Sequence, residues 1–291
     1  MLKQDYLEKL VSTDNISIIP FDKHTKNDKY ILYQENKPIL FIKVYSESPL
    51  LREMIEKREK GALSFFNETE LIPVPTLINS QQGFLITTYQ GELQDVLVEE
   101  CINDIASFHT AAVGFNNYPN YLKSKIFSND RRVRGVPRLD KHAELLKDTV
   151  DTERLHSYIN EVPPHAYEEL PKILTHGDLH RGNIHRKESG DILFNDFERA
   201  YFDYPTWDLA RALFDVSITN VKTVLDSYIS QMENTALMQH ATADELEKLI
   251  FGDCVYRIIT DIISDRQSLD NPEILKIHTK RNLEFLERYI F

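Results

Sequence analysis

Cysteine is nearly missing from this sequence: 291 residues contain two, Cys101 and Cys254. Two thiols so far apart make neither a disulfide framework nor a cysteine zinc site, so both read as reduced core residues. No stretch approaches the roughly 18 uninterrupted apolar residues of a bilayer span. The opening Met1-Leu2-Lys3-Gln4-Asp5 lacks the basic-then-apolar layout of a secretion signal. A cytoplasmic protein without a membrane partner is therefore expected. Glycine is scarce as well, with nine residues in all and none from Pro20 to Asp28.

What is present belongs to a globular chain. Hydrophobic residues make up 42% and charged residues 27%, which excludes disordered, collagen-like and low-complexity classes. The length is about twice that of an ordinary domain, which suggests one large unit or two lobes. The net charge of −12 is unevenly spread: residues 1–91 carry 11 Lys and Arg against 12 Asp and Glu, and residues 92–291 carry 23 against 34. Such a surface repels nucleic acid and attracts a cationic small molecule, although acidity for solubility alone reads the same way.

The apolar pattern changes period near residue 90. Leu2, Tyr6, Leu7, Leu10 and Val11 fall at helical spacing, and Ile16–Phe21, Lys29–Gln34 and Pro38–Tyr45 read as strands, the last two joined by a turn at Glu35-Asn36-Lys37. A helix is predicted over Leu50–Phe66 and a strand over Phe84–Tyr89. Beyond them helices dominate: Gln94–Ala112, Pro137–Ile159, Trp207–Phe214, Val221–Met232, Ala243–Ser264 and Pro272–Tyr289. One hairpin interrupts the helices, Ile184–Arg186 and Ile192–Phe194 about a Ser189-Gly190 turn. The expected architecture is α+β. Residues 1–90 form a small antiparallel sheet lobe with one helix, and residues 91–291 a larger helical lobe.

The strongest chemical signal is Thr175-His176-Gly177-Asp178-Leu179-His180-Arg181-Gly182-Asn183, followed after the hairpin by Asn195-Asp196-Phe197-Glu198. Four fixed letters in the pattern His-Gly-Asp-x-x-x-x-Asn arise by chance at roughly one in 10⁵ starting positions. The spacing matches a phosphoryl-transfer loop, where one Asp accepts the proton of the attacking hydroxyl while an Asn and a second Asp share magnesium. Phosphoryl transfer asks mainly for alignment and charge neutralisation, so hard oxygen ligands are the residue types it needs. Asn183 and Asp196 would supply them from opposite strands of the hairpin, with Asp178 on the loop before it. Lys43 lies in the apolar strand Phe41-Ile42-Lys43-Val44-Tyr45, where a charge needs an anionic partner. The helix that follows offers Glu53, Glu56 and Glu59 as partners.

Taken in order, these segments resemble the aminoglycoside phosphotransferase and choline kinase branch of the protein-kinase-like fold. The likeness rests on Phe-Ile-Lys43-Val, Glu59 with Pro73-Val-Pro75, Phe84–Glu92 with Gly91, Ala106-Ser-Phe-His109, His176-Gly-Asp178 with Asn183, Asp196-Phe-Glu198 and Trp207-Asp208-Leu-Ala210. It implies a kinase that uses ATP or GTP with Mg²⁺ to phosphorylate a hydroxyl of a small-molecule acceptor. Asp178 is then the base, Asn183 and Asp196 the metal ligands, Lys43 the phosphate lysine and Glu59 its partner. His176 and Asp208 support the loop, Thr88 and Tyr89 in the hinge-like segment contact nucleotide, and Glu198 faces the acceptor. Only eleven residues separate Asp196 from Asp208, too few for the activation segment of a protein kinase. The 67-residue step from His109 to His176 suits an inserted helical subdomain of this branch.

One segment departs from the pattern. The loop expected to cover nucleotide phosphates, Pro20–Asp28, has no glycine for close backbone approach. Thr25 and Asn27 stand in it as candidate phosphate contacts through side chains; the other reading is a solvated turn. For the acceptor, Asp253, Arg257, Asp261 and Asp265 recur every four residues on one helical face. They read as the wall of a cation site, with Asp253 and Asp261 as its ligands, or as a solvated face with internal Asp–Arg pairs. The basic cluster Lys123, Lys125, Arg131, Arg132, Arg134, Arg138 and Lys141 suits an anionic acceptor or a mobile loop instead. A cationic acceptor, aminoglycoside-like or choline-like, is the expectation. The alternatives are a kinase for homoserine, methylthioribose or a sugar, and a nucleotide-binding module without turnover.

Overall fold

The computed structural model of the chain describes residues 15–21, 27–46, 48–81, 83–115, 117–123, 132–133, 137, 139–141, 151–268 and 272–290. The opening helix expected at Leu2–Val11 and the loop residue Thr25 lie outside them. The chain divides into two compact units: the described parts of Met1–Val96, Asn120–Phe127 and Gly182–Ala200, and those of Leu97–Pro119, Ser128–Arg181 and Tyr201–Phe291.

The first unit is built on an antiparallel sheet of β1 (Ile16–Pro20), β2 (Asp28–Gln34), β3 (Lys37–Val44), β4 (Leu77–Gln81) and β5 (Phe84–Thr88), in the order β1-β2-β3-β5-β4. Glu35 and Asn36 both have positive φ, 50° and 63°, as a two-residue hairpin turn between twisted strands requires. Side chains alternate across the sheet. Leu32, Ile42, Val44, Phe84 and Ile86 form one buried apolar cluster, and burying each such side chain is worth about 1.5–3 kcal/mol. Before the register shift at Leu32/Tyr33, the paired positions Lys29 with Lys43 and Ile31 with Phe41 therefore belong to the opposite face.

Helix α1 (Pro49–Thr69) has proline in its first turn, where no N–H is missed, and ends on Glu70 in the left-handed region, whose N–H reaches Phe66 O at 2.9 Å. Strand β4 is not evident in the sequence, because Leu77-Ile78-Asn79-Ser80-Gln81 is half polar. Outside contacts hold it: Asn67 Oδ1 accepts the Leu77 N–H at 2.7 Å, and Glu56 accepts from Ser80 Oγ at 2.8 Å and Gly83 N at 2.7 Å. A second small sheet joins β6 (Gln94–Asp95) to β8 (Ile184–Arg186) and β9 (Ile192–Phe194), the hairpin legible in the sequence. Gln94 and Asp95, expected to open a helix, are thus strand residues paired with Arg186 and His185.

In the second unit the corresponding helix, α2 (Val98–Gly114), starts after the extended Leu97 and places Glu99 and Glu100 in its first turn, toward the positive end of its dipole. Helix α3 (Thr152–Glu161) is capped by Asp151, which accepts from Arg154 N at 3.0 Å. Strands β7 (Ile173–Thr175) and β10 (Tyr201–Asp203), both too short to announce themselves, pair antiparallel. Helices α4 (Pro205–Leu213), α5 (Val221–Met232), α6 (Ala243–Ser268) and α7 (Pro272–Tyr289) follow. The Thr242-x-x-Glu245 pair at the start of α6 is a reciprocal cap: Glu245 Oε2 accepts from Thr242 N at 2.8 Å and Thr242 Oγ1 from Glu245 N at 3.3 Å. Among the described residues no helix is long and apolar enough to cross a membrane.

Candidate active site

In the first unit the residues singled out from the sequence converge on Lys43. Its ammonium is 2.9 Å from Glu59 Oε2 and 3.2 Å from Oε1, 2.9 Å from Asp196 Oδ1 and 2.7 Å from Glu198 Oε1. The Lys43 and Glu59 side chains are almost wholly buried, at 3% and 4% exposure. Of the rivals, Glu56 is engaged with Ser80 and Gly83, and Glu53 pairs with Lys57 on the surface. Tyr45 donates from its hydroxyl to Glu59 Oε2 at 2.6 Å.

The electrostatics follow from that packing. Burial alone lowers the pKa of Lys43, but Asp196, Glu59 and Glu198 more than offset it and hold the ammonium above the ordinary lysine range. Burial, with Asp196 and Glu198 nearby, pushes Glu59 up to about 7 against the pull of Lys43 and the Tyr45 hydrogen bond.

The hairpin brings Asn183 and Asp196 to the same open end. Ile184 pairs with Phe194, and the Asn195 N–H reaches Asn183 O at 2.9 Å. Asp196 sits in the left-handed region at φ 66°, ψ 64°, an uncommon conformation for a residue with a Cβ and one that concentrates at functional sites. The carboxylate oxygens of Glu59, Asp196 and Glu198 approach within 4.8 Å of one another. Carboxylate and amide oxygens are the donors a hard divalent cation takes, so Asp196 and Asn183 fit Mg²⁺.

Glu198, expected to face the acceptor, lies in the Lys43 cluster. It accepts from Asn27 Nδ2, while its backbone carbonyl accepts from Arg58 Nη1 at 2.9 Å. Asn27 is buried, and its Oδ1 accepts the Ser46 N–H at 3.2 Å. Thr88 and Tyr89 are half-buried, and their backbone N–H groups bond Thr76 O and Ile39 O. Gly91 beyond them has φ +82°.

In the second unit Asp208, fully buried in the first turn of α4, takes the backbone N–H groups of His176 at 2.6 Å and Gly177 at 2.7 Å. Gly177 has φ +80°, so the chain turns sharply just ahead of Asp178. His109 Nε2 lies 3.6 Å from Asp208 Oδ2, beyond hydrogen-bonding distance, and His109 Nδ1 is 2.8 Å from the Tyr228 hydroxyl. Asp178 is partly exposed and accepts from Arg211 Nε at 3.0 Å; Arg211 Nη1 is also 3.7 Å from Asp215. Arg257, which the sequence suggests as a partner for the aspartates of its own helix, donates to Gly177 O and Trp207 O, each at 3.2 Å, and its Cζ lies 4.2 Å over the Trp207 ring. The sequence does not announce Arg211 and Arg257 as supports of the loop, since a lone helical Arg carries no signal of which carbonyl or carboxylate it will reach.

Asp253, expected in a cation-binding wall, is fully buried and forked to Arg132, Nε to Oδ1 at 2.6 Å and Nη2 to Oδ2 at 2.7 Å. Arg132 Nη1 also reaches Asp203 Oδ1 at 2.8 Å, and its Cζ lies 4.2 Å from the centre of the Tyr167 ring. One member of the basic cluster is thus a core cation. The side chain of Asp261 falls outside the described residues.

The sequence matches none of the curated proteins. Among solved structures it is similar to the ADP-bound aminoglycoside phosphotransferase APH(2'')-Ib, with 17% identity over 99% of this chain and 98% of that one and a TM-score of 0.63. It is also similar to an ethanolamine kinase of Plasmodium vivax, with 16% identity, coverage of 98% and 85% and a TM-score of 0.66. A choline kinase of Cryptosporidium parvum gives 12% identity, coverage of 97% and 92% and a TM-score of 0.65. These likenesses establish a protein-kinase-like α+β fold. Residues 17–239 match the phosphotransferase enzyme family, and the chain, which carries the sequence landmarks and the fold together, belongs to that family.

Proposed function

We propose that the protein is a small-molecule kinase that transfers the γ-phosphate of ATP or GTP to a hydroxyl of a small, cationic acceptor of the aminoglycoside or choline type. The observation that carries this reading is the buried Lys43–Glu59 pair with Asp196 against the same ammonium. Burying a lysine is costly, and the carboxylates that keep it charged include one, Asp196, suited to a divalent cation. Lys43 binds the donor's phosphates, and Glu59, steadied by Tyr45, fixes its direction. Asn183 and Asp196 hold Mg²⁺, which when bound neutralises charge on the phosphate oxygens. Asp178, five residues before Asn183 in the chain, orients the acceptor hydroxyl and takes its proton. Asp208 fixes the loop through His176 and Gly177, and Thr88 and Tyr89 contact the donor's base. The acidity of residues 92–291 supports a cationic acceptor.

A second reading, with an uncharged or anionic metabolite as acceptor, draws on Arg211, whose guanidinium lies against Asp178. Calorimetry and turnover in two variants test the common part of both readings. Asp196→Ala is expected to lose Mg²⁺-dependent nucleotide binding, and Asp178→Asn to keep it while losing transfer. Equal nucleotide affinity in Asp196→Ala and the unmutated chain would refute the assignment.

A further inference from the structure

Lys29 stands directly across from Lys43 in the β2–β3 register, so the two side chains share one face of the sheet. Like charges directly opposite on neighbouring strands are destabilising unless an anion compensates both. Three carboxylates already surround Lys43, engaging a group with three N–H donors. Lys29 differs. It is half-buried, and among the described residues its ammonium forms no hydrogen bond or ion pair.

We infer that Lys29 is a second phosphate-binding lysine, taking up the charge of the donor nucleotide that a glycine-rich loop would otherwise receive through its backbone. The inference rests on the kinase reading above and adds a residue to it. Three features of the chain lead to it. Pro20–Asp28, directly before Lys29, has no glycine with which a backbone could approach phosphates closely. The cation stands across from Lys43, whose ammonium lies 2.9 Å from the proposed metal ligand Asp196, and the charges of Asp196, Glu59 and Glu198 all act on it. Its charge is also under strain without a ligand: burial lowers its pKa and Lys43 lowers it further, while the carboxylates only partly oppose them. A bound di- or triphosphate relieves both the cross-strand repulsion and the desolvation.

The test is titration of nucleosides and of their mono-, di- and triphosphates, with Mg²⁺, into the unmutated protein and the K29M and K29R variants, for both adenine and guanine series. K29M is expected to weaken binding of the triphosphate by about 10- to 100-fold, the worth of a charge-assisted contact. Affinity for the unphosphorylated nucleoside should stay as it was, and K29R should recover most of the loss. Triphosphate affinity unchanged in K29M overturns the inference while leaving the kinase reading intact. Equal weakening of nucleoside and triphosphate in K29M, without recovery in K29R, also overturns it, because it marks a packing role. An unmutated protein that binds no nucleotide overturns both.

Discussion

Lys43 on β3 and Glu59 on α1 form a buried ion pair, Nζ to Oε2 2.9 Å. Removing one partner of such a pair typically costs about 3–5 kcal/mol because the other charge is stranded. Asp196 and Glu198 still face Lys43 when Glu59 is gone, and burial already pushes Glu59 up to about 7, so Glu59→Gln is expected to cost less than that range in urea unfolding. The larger effect falls on activity, with kcat/KM for the nucleotide reduced at least about 100-fold as the ammonium swings toward the other two carboxylates. Unchanged kcat/KM would show that Glu59 does not direct Lys43.

Tyr45→Phe removes the hydroxyl that donates to Glu59 and nothing else of the ring. A hydrogen bond to a charged acceptor is worth about 1.5–3 kcal/mol, and a loss in that range is expected in chemical denaturation. A loss within error would mean that Glu59 is held by Lys43 alone.

Asp208 makes the stability of the fold depend on pH. Burial opposes its charge, but His109, His176 and the Gly177 N–H outweigh burial and hold its pKa below the ordinary 3.8. A carboxylate with a depressed folded pKa stabilises the fold fully above its unfolded value and loses that contribution as pH falls through the folded one. The stability gap between the unmutated chain and Asp208→Asn should therefore be flat above about pH 5 and shrink below pH 3.8. Urea unfolding across that range checks it, and a gap that widens on acidification would contradict the pairing.

Arg257 reaches Gly177 O, one residue before the proposed base, from α6. Arg257→Met is expected to lower kcat about 10- to 100-fold by loosening the loop, with nucleotide affinity unaltered. Stopped-flow or steady-state kinetics separates the two quantities. A fall in nucleotide affinity with kcat preserved would assign Arg257 a different part.

How much of the fold and the site is legible in the sequence depends on whether the signal is local. The hairpin at 184–194 and the helices at 221–232 and 272–289 appear where periodicity and turn residues put them, because each carries its own pattern. That Lys43 needs an acidic partner is legible too, because a charge in an apolar strand demands one; the following helix offers three, and the family resemblance, not the local pattern, singles out Glu59. Strand β4 and the pair β7–β10 are not, since short strands are held by distant partners rather than by their own composition. The four-residue spacing of Asp253 and Arg257 correctly marks a helical face. It does not reveal that Arg132, 121 positions away, occupies Asp253. Likewise Glu198 reads as an acceptor contact because nothing in its sequence neighbours points to Lys43.

The most direct measurement incubates purified protein with Mg²⁺ and ATP or GTP against aminoglycosides, choline, ethanolamine, amino sugars, neutral sugars and homoserine, detecting the phosphorylated acceptor by mass spectrometry. Phosphate ester formed on a hydroxyl of a cationic acceptor, and absent with Asp178→Asn, is the expected result. Nucleotide bound but no acceptor phosphorylated would contradict a small-molecule kinase, and ester formed at the same rate by Asp178→Asn would remove Asp178 as its base.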